Sequence, residues 1–282
     1  MIYFDHKEIE WLLIFAMLEE ERMIAETRRQ RILELLQQHR AVSVAQLAEL
    51  LDSSVSTIRR DLIALDEQGL LNRVHGGAAL DGSQLTAIEL DMLTKENLRQ
   101  PEKQMVGRAA AAMIQSDDFV FIDAGSTTLQ LVKAIGGEAL KAVYVTNGLA
   151  HTLALTQKGC SVYVPGGRIR QRTEAIVGAT ALTSLNKYNF TKSFLGVNGI
   201  DMLRGYTTPG IDECELKASV MHRSKECWFL ADDSKFGKIY PAEIGSIGSA
   251  CLLTNHLPDE AYRSLTTIKE ADSDEGRIAV RL

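Results

Sequence analysis

Residues 53–78 read SSVSTIRRDLIALDEQGLLNRVHGGA, and this stretch decides the fold of the N-terminal part of the chain. Serine is a preferred N-cap residue, and Ser54 is followed at helical spacing by Ile58, Leu62 and Leu65. If these three side chains pack inward, polar side chains occupy the opposite face near the start of the helix. They are Ser56, Thr57, Arg59 and Arg60.

A glycine-rich turn follows this helix. The run Leu70–Val74 comes after Gly69, and His75-Gly76-Gly77 separates it from Ala78–Leu80. Short apolar runs on either side of glycines are typical of two β-strands joined by a tight turn. The sequence therefore predicts a hairpin directly behind the helix, which we call the wing.

Two more helices are predicted upstream. The apolar positions after Thr27 have helical spacing and end near His39, which gives a helix of about three turns. Ser43 and Gln46 then form a capping-box pattern ahead of a second apolar stripe. Because only residues 52–54 separate this second helix from the third, the pair is predicted to be a helix-turn-helix.

The polar face of the third helix is suited to DNA. In a helix-turn-helix this part of the helix enters the major groove, where arginine pairs with guanine or clamps a phosphate. The alternative is an ordinary solvated face, with the two arginines paired to Asp61 or Glu67. Together with two residues of the wing, the candidate DNA contacts are Ser54, Ser56, Thr57, Arg59, Arg60, Arg73 and His75.

The bulk composition is that of an ordinary globular protein, long enough for two domains. The 282 residues are 45% hydrophobic and 24% charged, and the net charge is −6. A negative total does not exclude DNA binding, which needs only a local positive face. The four cysteines and six histidines show no metal-ligand spacing. We therefore expect reduced thiols, a cytoplasmic location, and neither a metal nor another cofactor.

Residues 1–22 stand apart from the pattern that follows. Their apolar stretch Trp11–Leu18 is too short to span a bilayer, and the acidic residues before it do not fit a secretory signal. Two interpretations stay open. The segment is either an upstream extension or misassigned start ahead of Met23, or an additional oligomerisation helix.

From Glu102 onward, helical stretches alternate with short apolar strands, and this alternation predicts a mostly parallel sheet covered by helices. A helix is predicted over Val106–Ile114. The predicted strands are Phe119–Ile122, Ala142–Val145, Ser161–Val164, Lys192–Leu195 and Cys227–Ala231. Since ligands of such sheets bind beyond the C-terminal ends of the strands, the residues there are the candidate site.

The first of these strands is followed by the sequence DAGSTT at residues 123–128, which enters a helix. Glycine allows close approach of the backbone, and free amides, hydroxyls and the helix dipole favour an anion. The segment therefore predicts a phosphate site. The alternative is a helix cap with a serine/threonine turn and no ligand.

The other strand ends add polar residues and glycines. Side chains suited to sugar hydroxyls are Asn147, Asn198 and Asp201, and those that could neutralise a phosphate are Arg168, Arg170, Lys217 and Lys235. Any one of them could instead be a turn residue or a solvated charge, which we favour for Arg170. The candidate effector-binding residues are Asp123, Gly125, Ser126, Thr127, Thr128, Asn147, Gly166, Gly167, Asn198, Asp201, Lys217 and Lys235.

Two series of motifs resemble the DeoR family of bacterial regulators. The first is Ser54-x-x-Thr-Ile-Arg-Arg-Asp-Leu62 with Arg73-Val-His-Gly-Gly-Ala78. The second joins residues 123–128 to Gly196-x-x-Gly-Ile-Asp201, Lys217 and Asp233-Ser-Lys-Phe-Gly237. The resemblance extends from about Thr27 to Asn255, and it departs from the family at Ser53, where an apolar residue is usual. It implies operator binding by a winged helix-turn-helix and a sensor domain, similar in fold to ribose-5-phosphate isomerase, that binds phosphorylated sugars.

We therefore expect an α+β winged helix-turn-helix domain at residues 23–80, a linker at 81–100, and an α/β domain with a mostly parallel sheet at 101–282. The expected function is that of a transcriptional repressor of a sugar or polyol catabolic operon. Its expected partners are double-stranded operator DNA, a phosphorylated sugar or polyol as effector, and further copies of the chain, with no membrane.

The alternative function is that of a sugar-phosphate isomerase, because a phosphate loop with carboxylates and lysines could move a proton between adjacent carbons. Such isomerases use an Asp-Gly-Ala-Asp turn. The counterpart here runs from Asn198 to Asp201 and keeps one carboxylate. This difference favours binding without turnover.

Overall fold

The computed structural model describes residues 25–36, 41–67, 70–74, 76–79, 92–272 and 278–279. The chain divides into two compact units between Gly82 and Ser83. Among the described helices, none is long and apolar enough to cross a membrane. The segment 1–22 and most of the predicted linker lie outside the described residues.

The described residues of the first unit form three helices and three short strands. In chain order they are α1 (25–36), β1 (Ala41–Ser43), α2 (Val44–Leu50), α3 (Val55–Glu67), β2 (Asn72–Val74) and β3 (Gly77–Ala79). The helices meet in one apolar core, whose completely buried members include Ile32, Leu36, Leu47 and Ile58. The predicted helix-turn-helix is thus confirmed as α2 and α3.

Local hydrogen bonds fix where α2 and α3 begin. The Ser43 hydroxyl accepts from the Gln46 amide at 3.2 Å, and the Gln46 side chain accepts from the Ser43 amide at 3.0 Å. The Ser54 hydroxyl likewise accepts from the Thr57 amide at 3.1 Å. Both predicted caps are therefore present.

The wing is part of a three-stranded antiparallel sheet with the order β1-β3-β2. The hairpin was predicted, but its pairing with residues 41–43 was not. Gly77 stands opposite Ser43, and a side chain there would overlap the backbone carbonyl of Val42. A glycine at this position therefore allows β1 and β3 to approach each other.

The second unit is an α/β domain. Its helices are α4 (Met92–Asn97), α5 (Gln100–Ala111), α6 (Ser126–Ala134), α7 (Leu149–Gln157), α8 (Ala179–Leu185) and α9 (Ile211–His222). Its strands are β4 (Phe119–Ile122), β5 (Val143–Thr146), β6 (Ser161–Tyr163), β7 (Arg168–Arg170), β8 (Ala175–Val177), β9 (Phe190–Gly196), β10 (Gly199–Asp201), β11 (Gly205–Thr208), β12 (Ser224–Ala231), β13 (Ala242–Gly245), β14 (Cys251–Thr254), β15 (Ile268–Ala271) and β16 (Ile278–Ala279).

Eight strands form the central sheet in the order β16-β15-β14-β12-β9-β4-β5-β6, and every neighbouring pair except β15 with β16 is parallel. Alternate residues of β4 point to opposite faces. Val120 and Ile122 pack with α5 and α6, whereas Phe121 packs with α8 and α9. The predicted mostly parallel sheet with helices on both faces is confirmed.

The predicted strands agree with β4, β5, β6, β9 and β12 to within a few residues. The strands β14 and β15, the antiparallel sheet β10-β11-β13 and the pair β7-β8 were not predicted. The smaller sheets are built from strands of three or four residues, and all of these except β8 contain glycine or polar side chains. Such segments give no apolar run that marks a strand.

Candidate functional site

The start of α3 carries a cluster of hydroxyl groups. The Ser54 hydroxyl lies 2.8 Å from the hydroxyls of both Ser56 and Thr57. Ser54 and Ser56 are exposed, and Thr57 is half-buried. In a helix-turn-helix, the start of the second helix faces the DNA. Small hydrogen-bonding side chains there can contact the edges of bases and the phosphates.

Arg59 and Arg60 follow this cluster, and both are exposed. Asp61 is buried, and its carboxylate pairs with Arg28 at 2.5 Å and Arg29 at 2.9 Å. The alternative in which Asp61 neutralises Arg59 or Arg60 is therefore wrong. Neither arginine has a carboxylate partner among the residues that the structure describes, so both are available to a ligand.

The wing is described only in part. Arg73 belongs to β2, whose backbone is described, and His75 lies outside the described residues. The contacts predicted for these two side chains remain predictions.

In the second unit, a pocket opens at the C-terminal ends of β4 and β9, beside the start of α6; we call it the α6 pocket. Residue 125 precedes the first turn of α6, and among the described residues no side chain caps this end of the helix. Uncapped amides and the positive end of the helix dipole favour an anion. Ser126 and Thr127 of the first turn line the pocket.

Six of the predicted effector-binding residues line the α6 pocket. They are Gly125, Ser126, Thr127, Asn198, Lys217 and Lys235. They come from the β4–α6 loop, the end of β9, α9 and the turn after β12, which the topology brings to one edge of the sheet.

Asp123 lies beneath the pocket. Its buried carboxylate accepts a hydrogen bond from the Gly196 amide at 3.0 Å and forms an ion pair with Lys217. Burial raises the pKa of Asp123, and the Lys217 ammonium opposes this effect. Both contacts are made by Oδ2 of Asp123, and they position Lys217 and the end of β9. Asp123 is not among the described residues that line the pocket, and its predicted contact with a ligand stays a prediction.

Thr128 and Asn147 also hold the loop from below. The Thr128 hydroxyl donates to the Asp123 carbonyl at 2.6 Å, and the Asn147 side-chain oxygen accepts from the Ala124 amide at 2.8 Å. Both side chains are buried. Their predicted role as direct ligands is corrected, because their polar groups are used to shape the loop.

Asp201, Gly166 and Gly167 are not among the described residues that line the pocket. The Asp201 carboxylate accepts from the amides of Leu203 at 2.9 Å and Arg204 at 2.8 Å, and so closes the turn between β10 and β11. Gly167 precedes β7 and packs against residues 176 and 177 of β8. A turn-forming aspartate and a ligand-binding one have the same local sequence, which explains the wrong assignment.

The pocket also contains residues that were not among the candidate effector-binding residues, although Ala124, Gly196 and Val197 lie in segments that the sequence singled out. These additional residues are Met92, Lys95, Ala124, Thr173, Gly196, Val197 and Glu213. One Glu213 oxygen accepts from the Thr173 hydroxyl at 2.6 Å, and the other pairs with Arg170 at 2.9 Å. Glu213 stands four residues before Lys217 on α9, so the helical repeat around Lys217 could have revealed it. Arg170, for which a solvated charge was favoured, instead positions Glu213.

Within the described residues there is no cluster of side chains that could hold a metal ion. Cys227 is buried and the other three cysteines are half-buried, all as free thiols.

Comparison with known proteins shows which family the chain resembles. Residues 28–84 match the family described as the DeoR-like helix-turn-helix domain, and residues 98–255 match the DeoR C terminal sensor domain. The chain is 38% identical to the "Uncharacterized HTH-type transcriptional regulator FruR" of Bacillus subtilis, over 88% of this chain and 98% of that protein. It is 32% identical to the "Glycerol-3-phosphate regulon repressor" of Escherichia coli, over 78% of this chain and 86% of that protein.

Solved structures with a similar fold include ribose 5-phosphate isomerase A from Methanocaldococcus jannaschii. The identity is 16% and the TM-score 0.36, over 48% of this chain and 53% of that one. The translation initiation factor eIF-2B of Pyrococcus horikoshii OT3 covers more of the chain, 77% of this one and 75% of its own, at 10% identity and a TM-score of 0.39. These likenesses concern the fold alone.

Proposed function

Because the chain belongs to the DeoR family of helix-turn-helix transcriptional regulators, we propose that it represses a sugar or polyol catabolic operon and that a phosphorylated sugar controls its affinity for operator DNA. The observation that carries the proposal is the α6 pocket, where the uncapped start of a helix lies beside lysine side chains. The exposed side chains of Arg59 and Arg60 on α3 supply the positive charge for DNA binding.

The pocket's chemistry favours a phosphate ester. Backbone amides of the first turn of α6 and the hydroxyls of Ser126 and Thr127 can donate to the three phosphate oxygens. Lys217 and Lys235 add positive charge from two other segments. Lys217 keeps its ion pair with Asp123, and a phosphate adds a second anionic partner that a neutral sugar does not offer.

Other groups in the pocket suit the hydroxyls of a sugar or polyol. Asn198 keeps its side-chain amide available as a donor, since its oxygen accepts from the Thr208 hydroxyl at 3.1 Å. Glu213 has further lone pairs beyond its contacts with Thr173 and Arg170. One relative, the glycerol-3-phosphate regulon repressor of E. coli, is named for a polyol phosphate, which agrees with this class of ligand.

On the DNA side, we propose that α3 enters the major groove and that further copies of the chain place several such helices on repeated half-sites. Arginine reads guanine by paired hydrogen bonds and also binds phosphates. An operator-binding protein acts where the chromosome is, so we expect it to act in the cytoplasm.

We do not expect sugar-phosphate turnover. Among the described residues, Glu213 is the carboxylate that lines the pocket, and it is engaged with Arg170 and Thr173. Asp123 lies beneath the pocket, and its Oδ2 is engaged with Lys217 and the Gly196 amide. A general base needs a carboxylate that can reach the substrate proton. The relatives quoted above are named as transcriptional regulators, which agrees with a binding role.

The experiment is a titration of the full chain onto fluorescent DNA from the region upstream of its own gene, at fixed salt, followed by anisotropy. The panel of effectors contains fructose 1-phosphate, fructose 6-phosphate, glucose 6-phosphate and glycerol 3-phosphate, each with its unphosphorylated form. Release by one phosphorylated compound alone is expected, by about 5- to 150-fold in DNA affinity.

Other outcomes would contradict parts of the proposal. The chain could bind DNA tightly while no compound of the panel changes its DNA affinity. This outcome would reject the sugar-phosphate effector, but it would still support the role of a DNA-binding regulator. Failure to bind DNA, together with isomerisation of a panel compound, would support the enzyme instead.

A further inference from the structure

The helix α4 forms part of the wall of the α6 pocket. It is the first described element of the second unit, and the chain reaches it through residues 83–91 after the first unit ends. Two of its residues, Met92 and Lys95, line the pocket together with the start of α6. The pocket is thus completed by the segment that leads in from the DNA-binding part of the chain.

Specific contacts tie α4 to other walls of the pocket. The Met92 amide donates to the Arg172 carbonyl at 2.8 Å, and the Met92 side chain is only 4% exposed. Thr173, next in the chain after that carbonyl, donates its hydroxyl to Glu213. The position of α4 is therefore linked through two hydrogen bonds to a carboxylate that faces the ligand.

A third contact anchors the other end of α4. The ammonium group of Lys103, on α5, donates to the backbone carbonyl of Lys95. Lys103 is 3% exposed, so this contact is shielded from water. It fixes the backbone at the residue whose side chain lines the pocket.

Positive charge is concentrated at this wall. Burial, together with the nearby ammonium groups of Lys235 and Lys95, lowers the pKa of Lys103 to about 7, against the opposing effect of Asp232 and Glu102. Lys95 and Lys235 both line the pocket. An anion bound between them would relieve the repulsion among these lysines.

We propose that Lys95 contacts the anionic group of the effector, and that α4 is the element through which the bound effector acts on the chain leading to the helix-turn-helix. The inference rests on the proposed function and assigns a further binding residue to it. A ligand shifts an equilibrium only by the difference in its contacts with the two states. A contact to α4 supplies such a difference at the N-terminal end of the described part of the second unit.

The test compares the parent chain with four variants, using the anisotropy assay and the panel of sugar phosphates described above. Lys95→Gln removes the charge, and Lys95→Arg restores it. Lys187→Gln is the matched control, since Lys187 is exposed and is not among the described residues that line the pocket. Effector affinity is measured calorimetrically without DNA, and DNA affinity is measured with and without saturating effector.

We expect Lys95→Gln to weaken effector binding by roughly tenfold or more, as for loss of a charge-assisted hydrogen bond. DNA affinity without effector should stay within about twofold of the parent chain, and Lys95→Arg should recover most of the effector affinity. At saturating effector, Lys95→Gln should still release DNA less than the parent does.

Thr127→Ala gives the contrasting case, because it weakens the same ligand from α6. At saturating effector it should release DNA as fully as the parent. If Lys95→Gln matches the parent, or behaves like Thr127→Ala at saturation, the role of α4 is overturned and the proposed function stands. If no panel compound binds the parent chain, the proposed effector is rejected, and this inference with it.

Discussion

The hydroxyl of Thr128 lies 3.0 Å from Nε2 of His151, and both side chains are buried beneath the first turn of α6. The same hydroxyl holds the carbonyl of Asp123. Gly148 leaves room for the imidazole, since a side chain at that position would overlap the ring. His151 therefore supports the loop that carries the proposed phosphate site, although it does not belong to the pocket's lining among the described residues.

This arrangement predicts a pH dependence of stability. Burial lowers the pKa of His151 from 6.5 to about 3, so the unfolded chain binds more protons than the folded chain between these values. The free energy of unfolding should then fall as the pH drops through that window. His151→Leu should reduce the difference in urea-unfolding free energy between pH 7 and pH 5.

His222→Leu is the control for that measurement, because His222 is exposed at the end of α9. An undiminished pH dependence in His151→Leu would show that other groups cause it. His151→Leu should also weaken effector binding, since the loop loses a supporting hydrogen bond.

Arg60→Ala should weaken operator binding and reduce the slope of log affinity against log salt by about 1, because each phosphate contact releases counterions. Effector affinity should not change. Arg108→Ala, which removes an exposed arginine of the second unit, is the control. If Arg60→Ala bound DNA normally and lost its affinity for the effector, the assignment of α3 as the helix that reads DNA would be wrong.

Thr127→Ala should keep operator affinity and lose the response to effector at concentrations that release the parent chain, because a hydroxyl donor to the phosphate is removed. The dose–response of DNA release checks this. Thr183→Ala, an exposed threonine on α8, should respond like the parent. Normal release by Thr127→Ala at low effector would count against the α6 pocket.

Asp61→Asn should destabilise the first unit by about 1.5–3 kcal/mol, since the buried carboxylate that joins α3 to Arg28 and Arg29 of α1 loses its charge. Hydrogen exchange in peptides from α1 and α3 reports the change locally. Glu67→Gln alters an exposed carboxylate at the end of α3 and should have little effect. If the hydrogen-exchange rates of these peptides were equal in the two variants, the ion pairs of Asp61 would not contribute to the stability of the first unit.

Features that depend on neighbours in the chain could be predicted from the sequence. The capping serines 43 and 54 and the loop before α6 lie where they were expected, because caps and apolar spacing act within a few residues. Pairing of β1 with β3 was missed because it joins segments more than thirty residues apart. Lys95 and Thr173 reach the pocket from a linker and a loop, and no local pattern marks them.

Residue type alone also gave wrong assignments at the site. Asn147 and Asp201 both follow strands and both suit a sugar hydroxyl, but the structure uses one to hold a loop and the other to close a turn. The six predicted residues that do line the pocket belong to the loop and first turn of α6, except for Asn198 and the two long cations Lys217 and Lys235. Backbone amides and long side chains can reach a ligand beyond the end of a strand even when the conformation of the surrounding turn is not known.

Glu213 and Lys217 present opposite charges to the α6 pocket from one face of α9, a single turn apart. Both groups are also paired within the protein, Lys217 with Asp123 and Glu213 with Arg170. Under the proposed function, selection among anions depends on where a compound carries its charge relative to its hydroxyls. Free phosphate, which has no hydroxyl-bearing carbon chain, is then the poorer match.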